Sequence, residues 1–121
     1  MHPLTVLVVD DHAEVRFVLC RTLERAGHSA YAAADGIDAL SMLARISSVD
    51  LVICNLYLPR MDGPELAAEL AVGYPFIPVL FISGIRVRAT DLLAPLLPKP
   101  FGPHTLVKTV QGVLDRCQRP A

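Results

Sequence analysis

The chain has 121 residues, of which 53% are hydrophobic and 19% are charged, and its net charge is -1. This length predicts one domain with a sizeable core, and no apolar run approaches the ~18 residues that a membrane span needs. There is no Trp and no cluster of basic residues, which argues against a nucleic-acid partner. We therefore expect a single cytoplasmic domain over residues 1–121, with neither nucleic acid nor membrane as a partner.

The first half of the chain alternates short apolar runs with helical patterns. Residues 4–9 predict a strand by their β-branched side chains, and residues 13–26 predict a helix that Gly27 ends. Residues 28–33 predict a weaker strand, and residues 36–46 predict a second helix. The side chains expected to face the core are Val15, Val18, Leu19, Leu23 and Ala26 in the first helix and Ile37, Leu40 and Leu43 in the second.

The second half continues the same alternation. Residues 50–54 and 77–82 predict buried strands, and a third helix is expected to begin at Pro64, because proline is tolerated in the first turn. The last helix has one apolar stripe, formed by Leu106, Val107, Val110, Val113, Leu114 and Cys117. This order of elements predicts an α/β fold with a doubly wound parallel sheet and helices on both of its faces.

The three cysteines have neither the spacing of metal ligands nor that of a disulfide framework. Cys54 lies within a buried apolar run, and Cys20 and Cys117 lie within helical patterns. We interpret all three as small buried hydrophobic residues in a reducing compartment.

Polar residues follow the predicted strands at the point where each strand ends. Asp10 and Asp11 follow the first strand, Asn55 the third and Ser83 the fourth, and Lys99 precedes the last helix. The carboxyl ends of parallel strands share one edge of the sheet, so these side chains are expected to converge. Carboxylate and amide oxygens suit Mg²⁺, and a hydroxyl with an ammonium suits phosphoryl oxygens.

Each of these residues also has a plainer interpretation when it is taken alone. The acid pair Asp10-Asp11 could be a solvated loop or a helix cap, and Ser83-Gly84 could be an ordinary turn. His12 is interpreted as a solvated loop residue, with a role in the pocket or at a partner as the alternative. The coincidence of polar residues at all of the strand ends favours a site.

These residues give the chain a resemblance to the receiver domain of response regulators in two-component signalling. The resemblance covers nearly the full length of the chain. The motifs that carry it are VVDD at 8–11, ADGIDAL at 34–40, LPRMDG at 58–63, FISG at 81–84 and KPF at 99–101.

The resemblance implies a flavodoxin-like fold, with five parallel strands in the order 2-1-3-4-5, five helices and a cis peptide bond before Pro100. It also implies phosphorylation, with Mg²⁺ bound, of an Asp at the end of strand three by a histidine kinase. The implied metal ligands are Asp10, Asp11, the residue at position 55 and the backbone carbonyl of Tyr57. Ser83 and Lys99 would contact the phosphoryl group and shift a two-state equilibrium on the face of strands four and five.

Asn55 departs from this pattern, because it stands where the family has its phosphoacceptor Asp. An amide is a poor nucleophile and cannot form an acyl phosphate, and the loss of one negative charge predicts weak or absent Mg²⁺ binding. Two explanations remain open. Asn55 is either native, in a receiver that works without phosphorylation, or an engineered replacement for Asp in an ordinary receiver.

The segment between Ser83 and Lys99 is a second departure. It is about six residues shorter than in most receivers, so the fourth helix is expected to be short or irregular. Leu96 stands where the family has the aromatic residue of its rotamer switch. Because an engineer would have no reason to remove these features, natural divergence is the favoured explanation.

The leading hypothesis is a receiver module with no output domain, which acts by protein–protein contact with a histidine kinase, a phosphotransfer protein or another signalling protein. Dimerisation through the face of strands four and five remains open. An ordinary phosphoacceptor receiver is the alternative. A phosphatase-like enzyme on the same scaffold is a distant third, since such enzymes place their two acids two residues apart. We therefore expect no enzymatic activity.

Overall fold

The computed structural model describes residues 3–84 and 94–118. Its elements in these ranges are β1 (Thr5–Val9), α1 (Ala13–Arg25), β2 (Ser29–Ala33), α2 (Gly36–Leu43), β3 (Leu51–Asn55), α3 (Gly63–Gly73), β4 (Val79–Ser83), β5 (Leu96–Pro98) and α4 (Pro103–Gln118). The predicted bounds agree to within three residues. The short or irregular helix expected before β5 falls mainly on residues 85–93, which lie outside the described residues.

The five strands form one parallel sheet in the order β2-β1-β3-β4-β5. The prediction of a flavodoxin-like, doubly wound sheet is therefore confirmed. Val9 at the end of β1 lies beside Ala33 of β2 and Cys54 of β3, and Ser83 lies beside Pro98. This register brings the carboxyl ends of all five strands to one edge.

The core has two layers, one on each face of the sheet. One layer joins Val6, Val8, Leu51, Ile53, Leu80 and Ile82 of the strands to Leu19, Leu23, Leu106, Val110, Val113 and Leu114 of α1 and α4. The other joins Leu7, Val9, Val52, Cys54 and Phe81 to Ala39, Leu43, Leu66 and Leu70 of α2 and α3. Because both faces are covered, β3 is buried along its whole length, as its unbroken apolar sequence predicts.

Two side chains that were expected to face the core are exposed. Val18 is 59% exposed and Ile37 is 45% exposed, so both predictions were wrong. An α-helix turns by about 100° per residue. Val18 is therefore about a quarter-turn away from its buried neighbour Leu19, and Ile37 lies away from the buried side defined by Ala39 and Leu43.

The ends of the helices follow the local sequence. Gly27, with φ of 96°, comes directly after the Ala26 cap of α1 and donates its backbone N–H to Glu24. Asp62 caps α3 by accepting the N–H of Glu65, whose carboxylate in turn accepts the N–H of Asp62. Asp62 and Glu65 therefore form a capping box at the start of α3. None of the helices in residues 3–84 and 94–118 is long and apolar enough to cross a membrane.

Candidate functional site

The polar residues at the strand ends lie at one edge of the sheet, as the topology predicts. Asp10 is fully buried, and Asn55 and Ser83 are 8% and 1% exposed. Backbone hydrogen bonds extend the sheet beyond the strands: Asp10 donates to the carbonyl of Ala33, and Lys99 donates to the carbonyl of Ser83. The peptide bond between Lys99 and Pro100 is cis, as the resemblance implied.

Asp10 is held by partners from three parts of the chain. One of its oxygens lies 3.1 Å from the ammonium of Lys99, and the other accepts the backbone N–H of His12 at 2.9 Å. The guanidinium of Arg16 donates to the backbone carbonyl of Asp10 at 2.8 Å. These contacts give a buried carboxylate both a charge partner and a hydrogen-bond donor, which offset the cost of removing it from water.

The Asn55 amide joins the end of β1 to the loop after β3. Its Nδ2 atom lies 3.4 Å from Oδ1 of Asp11 and 3.2 Å from the carbonyl oxygen of Tyr57, and it donates to both. Asp11 and the Tyr57 carbonyl are two of the metal ligands that the resemblance implied. The amide therefore directs its N–H groups at oxygens that were expected to face a cation.

His12 lies closer to the pocket than its interpretation as a solvated loop residue suggested. Its ring is 68% exposed, yet Nδ1 lies 3.3 Å from an oxygen of Asp10 and 3.2 Å from an oxygen of Asp11. Ligand atoms of these three residues lie within 4.8 Å of one another. The sequence signal was the position of His12 directly after the acid pair.

Arg60 and Asp35 form a contact that the sequence did not predict. Nε and a terminal nitrogen of Arg60 lie 2.7 and 2.6 Å from the same oxygen of Asp35. The other oxygen of Asp35 caps α2 by accepting the N–H of Asp38. Burial acts to raise the pKa of Asp35, but the Asp38 N–H and the Arg60 guanidinium outweigh it and hold the pKa below its ordinary value. The ion pair thus joins the loop after β3 to the start of α2.

The loop after β3 also packs closely against its surroundings at Gly63. A Cβ atom built on Gly63 would lie 2.7 Å from the backbone oxygen of Asn55 and 2.9 Å from that of Leu56. The N–H of Gly63 donates to the carbonyl of Leu56 at 3.0 Å. Only glycine can be accommodated this close to the backbone oxygens of Asn55 and Leu56. Gly63 therefore helps to determine the backbone path of the loop that carries Tyr57.

The Cys54 side chain is buried in the core at the end of β3. Burial, together with the negative charges of Asp10 and Asp62, raises the pKa of the Cys54 thiol to about 12, so this thiol is an unreactive core residue, as predicted.

Leu96 begins β5 opposite Phe81 and is half-buried. Cys20 is half-buried, and the side chain of Cys117 lies outside the described residues.

Comparison with known proteins identifies the class. Residues 6–111 match the family described as "Response regulator receiver domain", and the chain belongs to that family. It is 35% identical over 119 residues to the sensor kinase CckA of Brucella abortus, covering 93% of this chain and 13% of that protein. It is 33% identical to the response regulator MprA of Mycobacterium sp. strain KMS, covering 94% of this chain and 52% of that protein.

Solved structures agree with this family. The chemotaxis protein CheY4 of Vibrio cholerae superposes with a TM-score of 0.86 at 31% identity, covering 93% of this chain and all of that one. The receiver domain of the hybrid histidine kinase CckA superposes with a TM-score of 0.78 at 33% identity, covering 91% of this chain and 98% of that one. Receiver domains are generally non-enzymatic signalling modules that interact with histidine kinases and other signalling proteins.

Receiver domains generally bind Mg²⁺ at an acidic site, and Asp10 and Asp11 form an acidic cluster here. The surrounding donors fit the ion only in part. Lys99 and His12 contact the Asp10 oxygens, and the Asn55 amide donates to Asp11 and to the Tyr57 carbonyl. Three of the expected ligands, Asp10, Asp11 and the Tyr57 carbonyl, therefore already face hydrogen-bond donors of the chain.

Proposed function

We propose that this chain is a receiver module that cannot accept a phosphoryl group at position 55 and that acts through protein–protein contact. The observation that carries this proposal is the buried amide of Asn55 at the end of β3, which donates to Asp11 and Tyr57. The nitrogen lone pair of an amide is delocalised, and an acyl phosphate forms only on a carboxylate. The pocket then lacks a nucleophile where the family has one.

Weak Mg²⁺ binding is part of the same proposal. Asn55 brings no charge to the pocket, so a divalent cation would meet two carboxylates in place of three. It would also have to displace Lys99 from Asp10 and the Asn55 amide from Asp11. Both effects lower the affinity for a hard cation that prefers anionic oxygen ligands.

Support for protein contact comes from α1, where Phe17 and Val18 are 66% and 59% exposed. Val18 also lines a groove of about 380 Å³, together with Glu14, Val15, Leu19, Lys99, Pro100 and Phe101. A largely apolar groove and exposed apolar side chains on the same helix suit contact with the apolar face of a partner helix. We expect that helix to belong to a histidine kinase, a phosphotransfer protein or another signalling protein.

One alternative is an ordinary receiver in which Asp was exchanged for Asn at position 55. Asp10, Asp11, Ser83 and Lys99 are present, as this alternative requires, and their presence is equally compatible with a native Asn55. Sequencing the natural gene separates the two: an Asn codon at position 55 supports the proposal, and an Asp codon supports the alternative.

Phosphoryl uptake tests the proposal directly. The chain with Asn55, which is the native chain under this proposal, and the Asn55→Asp variant are incubated with acetyl phosphate and Mg²⁺, and the mass of each intact protein is measured. We expect no phosphoryl adduct on the native chain and a base-labile adduct on Asn55→Asp. An Asn55→Ala variant is the matched control, because it also lacks the carboxylate. A base-labile adduct on the native chain would overturn the proposal.

A further inference from the structure

We infer that the Asn55 amide takes the place of a divalent cation as the link between the end of β1 and the loop after β3. This inference deepens the proposed function and rests on it. Asn55 would then have a positioning role in the pocket, besides being unable to act as a nucleophile. The consequence is a pocket whose arrangement does not depend on a bound metal ion.

The Asn55 amide nitrogen lies between two oxygen acceptors from different parts of the chain. A primary amide has two N–H donors on one nitrogen, and Nδ2 of Asn55 lies 3.4 Å from the Asp11 carboxylate and 3.2 Å from the Tyr57 carbonyl. One acceptor lies just beyond β1, and the other lies in the loop before α3. An amide nitrogen between two oxygens that the family presents to a cation makes the same connection without an ion.

The neutral amide of Asn55 also limits the negative charge of the pocket. An Asp at position 55 would add a third carboxylate to Asp10 and Asp11, and it would have no N–H to offer the Tyr57 carbonyl. The carboxylate of Asp11 and the carbonyl of Tyr57 would then face an acceptor instead of a donor. A bound cation would stabilise such a cluster of oxygens by reducing their repulsion, whereas the amide adds donors in place of a further negative charge.

The loop between β3 and α3 is held near the Asn55 amide by other contacts as well. Gly63 donates to the carbonyl of Leu56, and Arg60 pairs with Asp35 at the start of α2. The Tyr57 carbonyl is therefore presented to Asn55 by a loop with contacts on both sides. The cross-link forms within a preorganised loop and costs little additional ordering.

Thermal unfolding in EDTA and in millimolar Mg²⁺ tests this inference, using the native chain, Asn55→Asp and Asn55→Ala. We expect the Tm of the native chain to be the same in both solutions. In EDTA both variants should lose about 4 °C or more, since each lacks the donors. Mg²⁺ should restore the Tm of Asn55→Asp and leave that of Asn55→Ala unchanged.

Two outcomes would overturn the inference: a native Tm that rises in Mg²⁺ by as much as that of Asn55→Asp, or an Asn55→Ala Tm in EDTA equal to the native value. The Asn55→Ala result remains decisive if Asn55→Asp fails to fold, because it adds no charge. Phosphoryl uptake reports on the nucleophile alone. A failure of the cross-link is therefore distinguishable from a failure of the proposed function.

Discussion

The ammonium of Lys99, just after β5, lies 3.1 Å from the fully buried carboxylate of Asp10, just after β1. The two residues are distant in sequence, and β3 and β4 lie between their strands in the sheet. The pair therefore spans the edge of the sheet on which the pocket is built. The Lys99 side chain is 24% exposed, while that of Asp10 has no contact with solvent. Removal of Lys99 would therefore leave an unpaired charge that water cannot reach, whereas removal of the Asp10 charge would leave an ammonium that water can reach.

Lys99→Met should destabilise the protein more than Asp10→Asn does. Loss of Lys99 leaves a buried carboxylate without its charge partner, which we expect to lower the free energy of unfolding by about 3 kcal/mol. Loss of the Asp10 charge leaves an ammonium that can turn towards water. Urea unfolding of both single variants and the double variant measures the difference. A double variant no more stable than Lys99→Met would contradict this interpretation.

Asp35 should make the stability depend on pH in the acid range. Its pKa is lower in the folded protein than in the unfolded chain, so its contribution is complete above about pH 4 and is lost as pH falls through the folded pKa. Asp35→Asn keeps a residue that caps helices well but removes the ionisation. The fall in Tm between pH 5 and pH 2.5 should be smaller in the variant, and an equal fall would contradict the prediction.

His28 should add a second pH dependence nearer to neutrality. It is buried, and Nδ1 accepts the backbone N–H of Leu4 at 3.0 Å. Burial lowers the pKa of His28, so its contribution is complete above about pH 6.5 and is lost as pH falls through the folded pKa. His28→Asn retains a hydrogen-bond acceptor and cannot titrate. Chemical denaturation at pH 7.5 and pH 5.5 should show a smaller difference for the variant than for the native chain.

Gly63→Ala should disturb the loop that carries Tyr57. The added Cβ would meet the backbone oxygens of Asn55 and Leu56 at 2.7 and 2.9 Å, and backbone cannot give way as a flexible side chain can. We expect a loss of about 2 kcal/mol of stability. Gly112→Ala in α4 is the matched control, because a Cβ there meets nothing within 4 Å, and it should gain up to about 1 kcal/mol. Equal effects at both positions would contradict the close packing of this loop.

The sequence predicted the sheet and the meeting of polar residues at its edge because both follow from periodicity. A strand buried on both faces is apolar throughout, as in residues 51–54, and parallel strands bring Asp10 and Asn55 to the same edge. The exposure of Val18 and Ile37 was not predicted, because apolar spacing marks an amphipathic helix more reliably than it marks the limits of its buried face.

The contacts within the site could be predicted only in part, because they depend on the backbone of the loops. Arg60 has a positive φ of 64°, and its pairing with Asp35 follows from the turn that this conformation makes. The contact of His12 with both acids depends in the same way on the backbone just after β1. No pattern of residue types specifies these directions.

The position of the Asn55 amide is most directly tested by NMR of its side-chain NH₂ group, with Asn55→Ala used to assign the resonances. If the amide links Asp11 to the Tyr57 carbonyl, its protons should exchange slowly with water, and their chemical shifts should be the same in EDTA and in millimolar Mg²⁺. Fast exchange in EDTA, with a large shift on addition of Mg²⁺, would show that the pocket requires the cation, and it would contradict the role assigned to Asn55.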